Sequence, residues 1–557
     1  MSKTNFYSAT PLILFCHVWM GFQSATATPV NSTTSATLLN STLSSTTLST
    51  TLSTTAKPSQ VMEQLSTLCN HDVEYPKNTP LDDVLISSIA AGLEQFKAEH
   101  PNNPIEHCVV KVPDGNELDA EIKRYNENKS NSQKQHTAFL LLARGIKMSS
   151  INDAAPCESL VPIVAGVDDS NKELPSQLPS TWQNSFLIEE PIELELGQKL
   201  IGIPLDTRTA ALASGYHANI KRKLQASYGC HFSNLGSVSY TRDHLITIRQ
   251  PGSVVSGITN VDGINDSRGY TKRCSYRTHY PRIYTDQMYT TLLNIELDVM
   301  SFNLPNGSRM VDISNNEFYQ YENSAIDITL VGHGLFSQWI QGRTFVRLHK
   351  NHIYSCFTRE RKSSNEVALN IDLRYHDAAP DPEISHVLEL EENQFDTRYK
   401  SAVSLNVSPG SRSVIANNRI VTNPSAEDSA GITIAGITTE KDSAKDAPSF
   451  LFNNNQMKGF KSAIAFEGAM KLKLNSNQLL GTDYALKRVG EQRGFPVELS
   501  GDEQNLYMGL KACATLESSW IIGGLTLADG IPCPADYIPA TSPTEASTSP
   551  ATSSPSK

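Results

Sequence analysis

Six segments in the second half of the chain repeat one short pattern: VDISNNEF (311–318), VRLHKNHI (346–353), LELEENQF (388–395), SVIANNRI (413–420), FLFNNNQM (450–457) and LKLNSNQL (472–479). Each has an Asn at its sixth position and an apolar residue at its third and eighth, which sets the Asn column at 316, 351, 393, 418, 455 and 477. Alternating apolar residues before the Asn describe a strand with one buried face, and the apolar residue two places beyond it opens the next buried stretch. The Asn therefore marks a corner. Asn tolerates left-handed backbone angles, and amides stacked on one corner of successive coils can bond one another in a ladder.

Between these corners lie further runs that alternate with period two: AIDITL (325–330), VALNIDL (367–373), AVSLNV (402–407), GITIAGI (431–437) and AIAFEG (463–468). The Asn column recurs at unequal intervals with a short minimum between 455 and 477, as in a solenoid that absorbs extra length in loops. FLIEEPIELELGQKLIGI (186–203), HLITIRQPGSVVSGITNV (244–261) and LLNIELDVMSF (292–302) read as earlier coils. The predicted fold class is mainly β, a parallel β-helix over residues 181–490.

The flanking segments differ in composition. Residues 1–27 carry Lys3, a short apolar run from Pro11 to Phe22 and small residues at Ala25-Thr26-Ala27, the pattern of a signal peptide. No later run is long and apolar enough for a transmembrane helix, so the expectation is a secreted protein with no membrane span after cleavage. Residues 28–60 and 540–557 are rich in Ser and Thr and are expected to be disordered. Residues 61–180 read as a mixed α/β cap region. There LDDVLISSIAAGLEQFKAEH (81–100) has helical apolar spacing, a charged helix is expected over 117–126, and strand-like runs occur at 108–112, 138–143 and 160–167. The first helix is assigned the task of covering the open solenoid end, and 491–539 is assigned to a C-terminal cap.

Eight cysteines remain after the signal, an even number that favours disulfides in an exported chain, with Cys230/Cys274 and Cys513/Cys533 the first pairings to consider. A formal charge of −11 argues against nucleic acid as a partner. The basic run Lys221-Arg222-Lys223 reads as a solvated face. Asn-x-Ser/Thr sequons occur at Asn31, Asn40, Asn128, Asn265, Asn306 and Asn406.

With its strand runs and N-x-apolar corners, the chain resembles the pectate-lyase-like superfamily of right-handed parallel β-helices. The resemblance covers a little over half of the chain and implies architecture more than activity. Hydrolases of that kind use an Asn-Thr-Asp element, an adjacent Asp pair, Gly-His-Gly and Arg-x-Lys. Asn260-Val261-Asp262 is similar to the first, and Gly332-His333-Gly334 matches the third. The pairs Asp82-Asp83 and Asp168-Asp169 lie upstream of Asp262, and no Arg-x-Lys follows His333, so the resemblance leaves the acid/base set incomplete. Lyases of the superfamily require carboxylates that hold Ca²⁺ beside a basic residue, and the best local concentration is Asp372, Arg374, His376, Asp377, Asp381 and Glu383.

The candidate catalytic residues are therefore Asp262, His333, Asp372 and Asp377, with Ca²⁺ as cofactor if the chain is a lyase. The expected partner is an extracellular polysaccharide or glycan, bound or cleaved. The alternative is a non-catalytic surface or attachment protein. Tyr270, Tyr276, Tyr280, Tyr284 and Tyr289 form a dense aromatic stretch expected to be a loop on the binding surface, since sugars stack on exposed rings.

Overall fold

The computed structural model describes residues lying within 63–142, 186–203, 218–222, 244–260, 289–298, 311–331, 344–354, 367–373, 386–422, 429–436, 447–489 and 497–514. Their strands form three long sheets in which each named pairing is parallel and joins one coil to the next. This is a parallel β-helix, right-handed like almost every parallel crossover.

The coil that follows the 12-residue connection 299–310 shows how one turn is built. Strand β12 (Val311–Ser314) belongs to the first sheet, β13 (Glu317–Phe318) to the second and β14 (Tyr321–Val331) to the third. The next turn repeats the order with β15 (Thr344–His349), β16 (His352–Tyr354) and β17 (Val367–Leu373). In the first sheet Val255, Ile313, Leu348, Leu390, Ile415, Phe452 and Leu474 stand in one register column, and all are fully buried. In the second, Phe318, Ile353, Phe395, Ile420, Met457 and Leu479 form the matching column. Burying such side chains is worth about 1.5–3 kcal/mol each, so this interior stack is the main stabilising term.

The six corner asparagines lie along one edge as the repeat predicts, each at most 1 % exposed. Every Nδ2 donates to the Oδ1 of the next coil's Asn, at 2.9 Å for Asn316 to Asn351 and 3.1 Å for Asn393 to Asn418. Its other hydrogen goes to a strand carbonyl of the preceding coil, such as Leu348 O for Asn393 and Leu390 O for Asn418. The left-handed residue is not the ladder Asn itself. It is the residue before it, Asn315, Lys350, Glu392, Asn417, Asn454 or Ser476, with φ between 52° and 57°. The ladder Asn was selected for its four hydrogen-bonding sites, all of which the corner uses.

Asn505 adds a seventh member, accepting from Asn477 at 3.0 Å. The pattern hides it because the turn there is wider: β30 (Val497–Gly501) ends earlier relative to β31 (Leu506–Met508), and Gly501 pairs with Leu474 where the other coils put a large apolar residue. The ladder of coils thus continues past residue 490 to β32 (Ala512–Ala514).

At the other end, β1 (Asp72–Glu74), β2 (His107–Lys111) and β3 (Thr137–Leu142) are consecutive members of the first sheet and continue into β6 (Lys199–Ile203). Helices α1 (Asp83–Glu99) and α2 (Leu118–Asn128) alternate with them. All six residues of β3 are buried, as a strand covered on both faces must be. The capping role falls to the other helix than expected. Leu85, Ile89, Leu93 and Phe96 of α1 pack on Leu140, Leu142, Ile201 and Ile203, the outer side of the sheet, whereas Leu118 and Ile122 of α2 join Phe139, Phe186 and Ile192 in the interior core. Helix α2 has too few apolar positions to look like a core helix, yet two suffice to close one coil.

Cys69 and Cys108 form a disulfide with Cα atoms 5.6 Å apart, beneath α1. Cys230, Cys274 and Cys533 lie outside the described residues, and Cys513 is in β32, so the two pairings expected from the sequence are not described. The basic run 221–223, read as a solvated face, begins at the end of a strand: β7 (Ala218–Arg222) pairs between β4 (Phe186–Ile188) and β10 (Ile258–Asn260).

Candidate functional site

The corner between the first and second sheets is held to two residues in coil after coil, at 315–316, 350–351, 392–393, 417–418, 454–455 and 476–477. In these coils extra chain therefore enters on either side of the third sheet, whereas earlier in the chain 143–185 and 204–217 join a first-sheet strand to a second-sheet strand. The connections 261–288 and 355–366 lead into the third sheet, and 299–310, 332–343, 374–385 and 436–448 lead away. A rigid sheet face bordered by long excursions is where a solenoid places its binding surface.

Strand alternation sends every second side chain of the third sheet outward. Asp327 on β14, Asn370 on β17, Ser404 on β20 (Ser401–Val407) and Thr433 on β23 (Ala430–Ala435) stand in one outward register column. Thr329, Asp372 and Asn406 stand in the next. Thr329 is exposed and the other six are half-buried. Asn370 Nδ2 donates to Asp327 Oδ1 at 3.0 Å. Inward of them, Ile328, Ile371, Leu405 and Ile434 fix the strands from behind.

Asp372 is the one sequence-assigned catalytic residue that is described. The sequence places it both at the end of the strand-like run VALNIDL and at the head of the charged cluster 372–383, and it lies within strand β17. Asp262, His333 and Asp377 lie outside the described residues, as do Tyr270, Tyr276, Tyr280 and Tyr284. Among the described residues no three His, Cys, Asp or Glu side chains could hold a metal ion, so that part of the face offers no Ca²⁺ cage.

A second constellation has the composition of a hydrolase triad. His100 Nδ1 meets Asp312 Oδ2 at 2.9 Å, and His100 Nε2 meets Ser314 Oγ at 3.0 Å. No local motif announces it, because His100 is more than 200 residues from its partners. Each of the three is at most 1 % exposed. A nucleophile that no substrate can reach does no chemistry, and the surrounding bonds describe a clasp. Arg347 Nη1 donates to Glu99 O and to Asp312 Oδ2, and Asn315 Nδ2 donates to Glu99 Oε2, so the end of α1 is tied to β12 and β15. Beside it, burial first and then the cations Arg347 and Lys350 push His349 down to about 3. His349 is therefore neutral at ordinary pH.

On the outer side of the second sheet, His352 Nε2 meets Asp396 Oδ2 at 3.0 Å, and Arg419 Nη1 donates to Asp396 Oδ1 at 3.0 Å. Burial pushes the Asp396 carboxyl up, but the bonds from His352, Gln394 and Arg419 outweigh it and hold the group below its usual range. These bonds join three successive coils across the sheet.

No family model matches the chain, and no curated protein matches it. Solved structures do align. The mannuronan C-5 epimerase AlgE4 A-module of Azotobacter vinelandii aligns at 10 % identity and TM-score 0.29, over 73 % of this chain and 95 % of that one. Two variants of the periplasmic alginate epimerase AlgG align at 9 % identity and TM-score 0.27, over 81 % of this chain and 94 % of theirs. The fold assignment here stands on the register of the chain's own strands. No helix among the described residues is long and apolar enough to cross a membrane.

Proposed function

We propose that this chain is an exported glycan-binding protein that holds an extended polysaccharide against the outer face of the third sheet. The observation that supports this is the in-register array Asp327, Asn370, Ser404, Thr433 beside Thr329, Asp372, Asn406. Sugar hydroxyls both donate and accept, and a fixed array of carboxylates, amides and hydroxyls offers both kinds of partner at a spacing of about 4.8 Å from coil to coil. The interior of the solenoid is filled with apolar side chains, which leaves the outer faces for recognition.

Asp327 and Asp372 are diagonal neighbours on adjacent strands. Strand geometry sets their Cα atoms roughly 8 Å apart, with both side chains on the outer face. Two carboxyls about 6.5–9.5 Å apart suit an inverting glycosidase, one protonating the leaving oxygen while the other activates water. This favours cleavage as the reaction if the bound glycan is turned over, and binding without cleavage is the other outcome. The test is retention of the full chain on immobilised polysaccharides, repeated with Asn370→Ala and Thr433→Ala. Retention that the two substitutions weaken supports the assignment, and a chain that binds no polysaccharide refutes it.

A further inference from the structure

We infer that the outer face of the third sheet selects glycans that carry no anionic group, an inference that rests on the glycan-binding reading above. In its two outward columns the ionisable side chains between Asp327 and Glu467 are carboxylates: Asp327, Asp372 and Glu467. The remaining positions from Asn370 to Ala465 are amides, hydroxyls and alanines. Among the described residues a cation enters these columns only with Lys487, which pairs with Ala465 at the far end. A polyuronate laid on this array sets its own carboxylates against fixed ones, with no metal cage among the described residues to bridge them. The chain's formal charge of −11 adds a repulsive field at longer range. Uncharged sugars meet none of this. Their hydroxyls can donate to Asp327 and Asp372 and accept from the amide groups of Asn370 and Asn406.

The experiment measures retention of the full chain on xylan, mannan and β-glucan as uncharged probes and on polygalacturonate as the anionic one, with chelator present. Ionic strength is varied from about 0.01 to about 1 M, over which the screening length falls from about 30 to about 3 Å. The expected result is retention on at least one uncharged polysaccharide, changing less than about two-fold with salt, and none on polygalacturonate at low salt. The double substitution Asp327→Asn, Asp372→Asn should make retention on polygalacturonate measurable. Polygalacturonate bound at low salt by the unaltered chain, for instance through the basic residues between Arg268 and Arg282, overturns the inference and leaves glycan binding standing. Polygalacturonate bound only when Ca²⁺ replaces the chelator overturns it equally. If no polysaccharide of either class is retained, glycan binding itself fails and the inference falls with it.

Discussion

Asn393 donates its Nδ2 hydrogen to Asn418 Oδ1 at 3.1 Å, and Asn418 passes the same bond to Asn455 at 2.9 Å. Each Oδ1 also accepts the backbone N–H of the Asn one coil back, as Asn418 Oδ1 does from Asn393 N at 2.9 Å. One buried amide thus satisfies backbone groups of two neighbouring coils. Replacing Asn393 by Ala orphans several groups at once, each costing about 1–3 kcal/mol, whereas Leu390→Ala leaves a cavity worth about 2–5 kcal/mol. The two losses should be comparable in chemical denaturation. A change under about 0.5 kcal/mol at either position would show that the corner is not structural.

His349 and Lys199 make stability rise with pH in two adjoining windows. Burial first, then Arg347 and Lys350, lowers His349 to about 3, so the fold keeps the ring neutral while the unfolded chain protonates it below its ordinary value near 6.5. The stabilising contribution is full above about 6.5 and is lost as pH falls toward 3, at up to about 1.4 kcal/mol per unit. His349→Gln should flatten that acid limb.

Lys199, 1 % exposed, is lowered to about 7 mainly by burial, with Glu106 opposing. The fold prefers the neutral amine, so stability increases from about pH 7 to the unfolded value near 10.5. Lys199→Met should stabilise the protein at pH 7 and remove the alkaline rise. Equal pH profiles for the two chains in thermal melts would contradict the assignment.

The repeat announced the coils because each one imposes the same demand, a buried side chain, a left-handed residue and an amide, within eight consecutive positions. The third-sheet strands were equally legible through their alternation, with VALNIDL coinciding with β17. What the sequence concealed is long-range. His100 finds Asp312 and Ser314 only because α1 lies along the outer side of the first sheet, and no spacing rule links residues on different elements. The continuation of the first sheet into β3 was hidden for a related reason: its run was legible as a strand, but a strand buried on both faces lacks the period-two signal that ties it to the coils. Asp372 was legible both as the end of the run VALNIDL and as the head of a charged cluster, because the alternation that contains it stops one residue later at Leu373.

The clasp at α1 should be structural and chemically silent. Asp312→Ala leaves His100 and Arg347 without their shared carboxylate in a buried site, a loss of about 3–5 kcal/mol for a broken buried pair. A fluorophosphonate probe should leave Ser314 unlabelled in the native protein, as peptide mass spectrometry would reveal. Labelling at Ser314 would make the cluster an active site after all.

The last expectation concerns Asp372, where binding and chemistry can be separated. If Asp327 and Asp372 act as the acid and base of an inverting hydrolysis, Asp372→Asn removes a proton-transfer group and keeps the shape and hydrogen-bonding reach of the side chain. General acid–base catalysis contributes about 10²–10⁴-fold, so kcat should drop by that order while KM for the retained polysaccharide moves little. Asn370→Ala should do the reverse, weakening retention because it removes an amide that also holds Asp327 at 3.0 Å, with a smaller effect on turnover once substrate is saturating. Reducing-end release and the anomer first formed, followed by NMR, report both quantities, and an inverted anomer is the signature of two carboxyls too far apart for a covalent intermediate. If the chain binds a polysaccharide and releases no ends, and Asp372→Asn binds as tightly as the unaltered protein, the hydrolytic role of the pair is refuted and the face serves attachment alone.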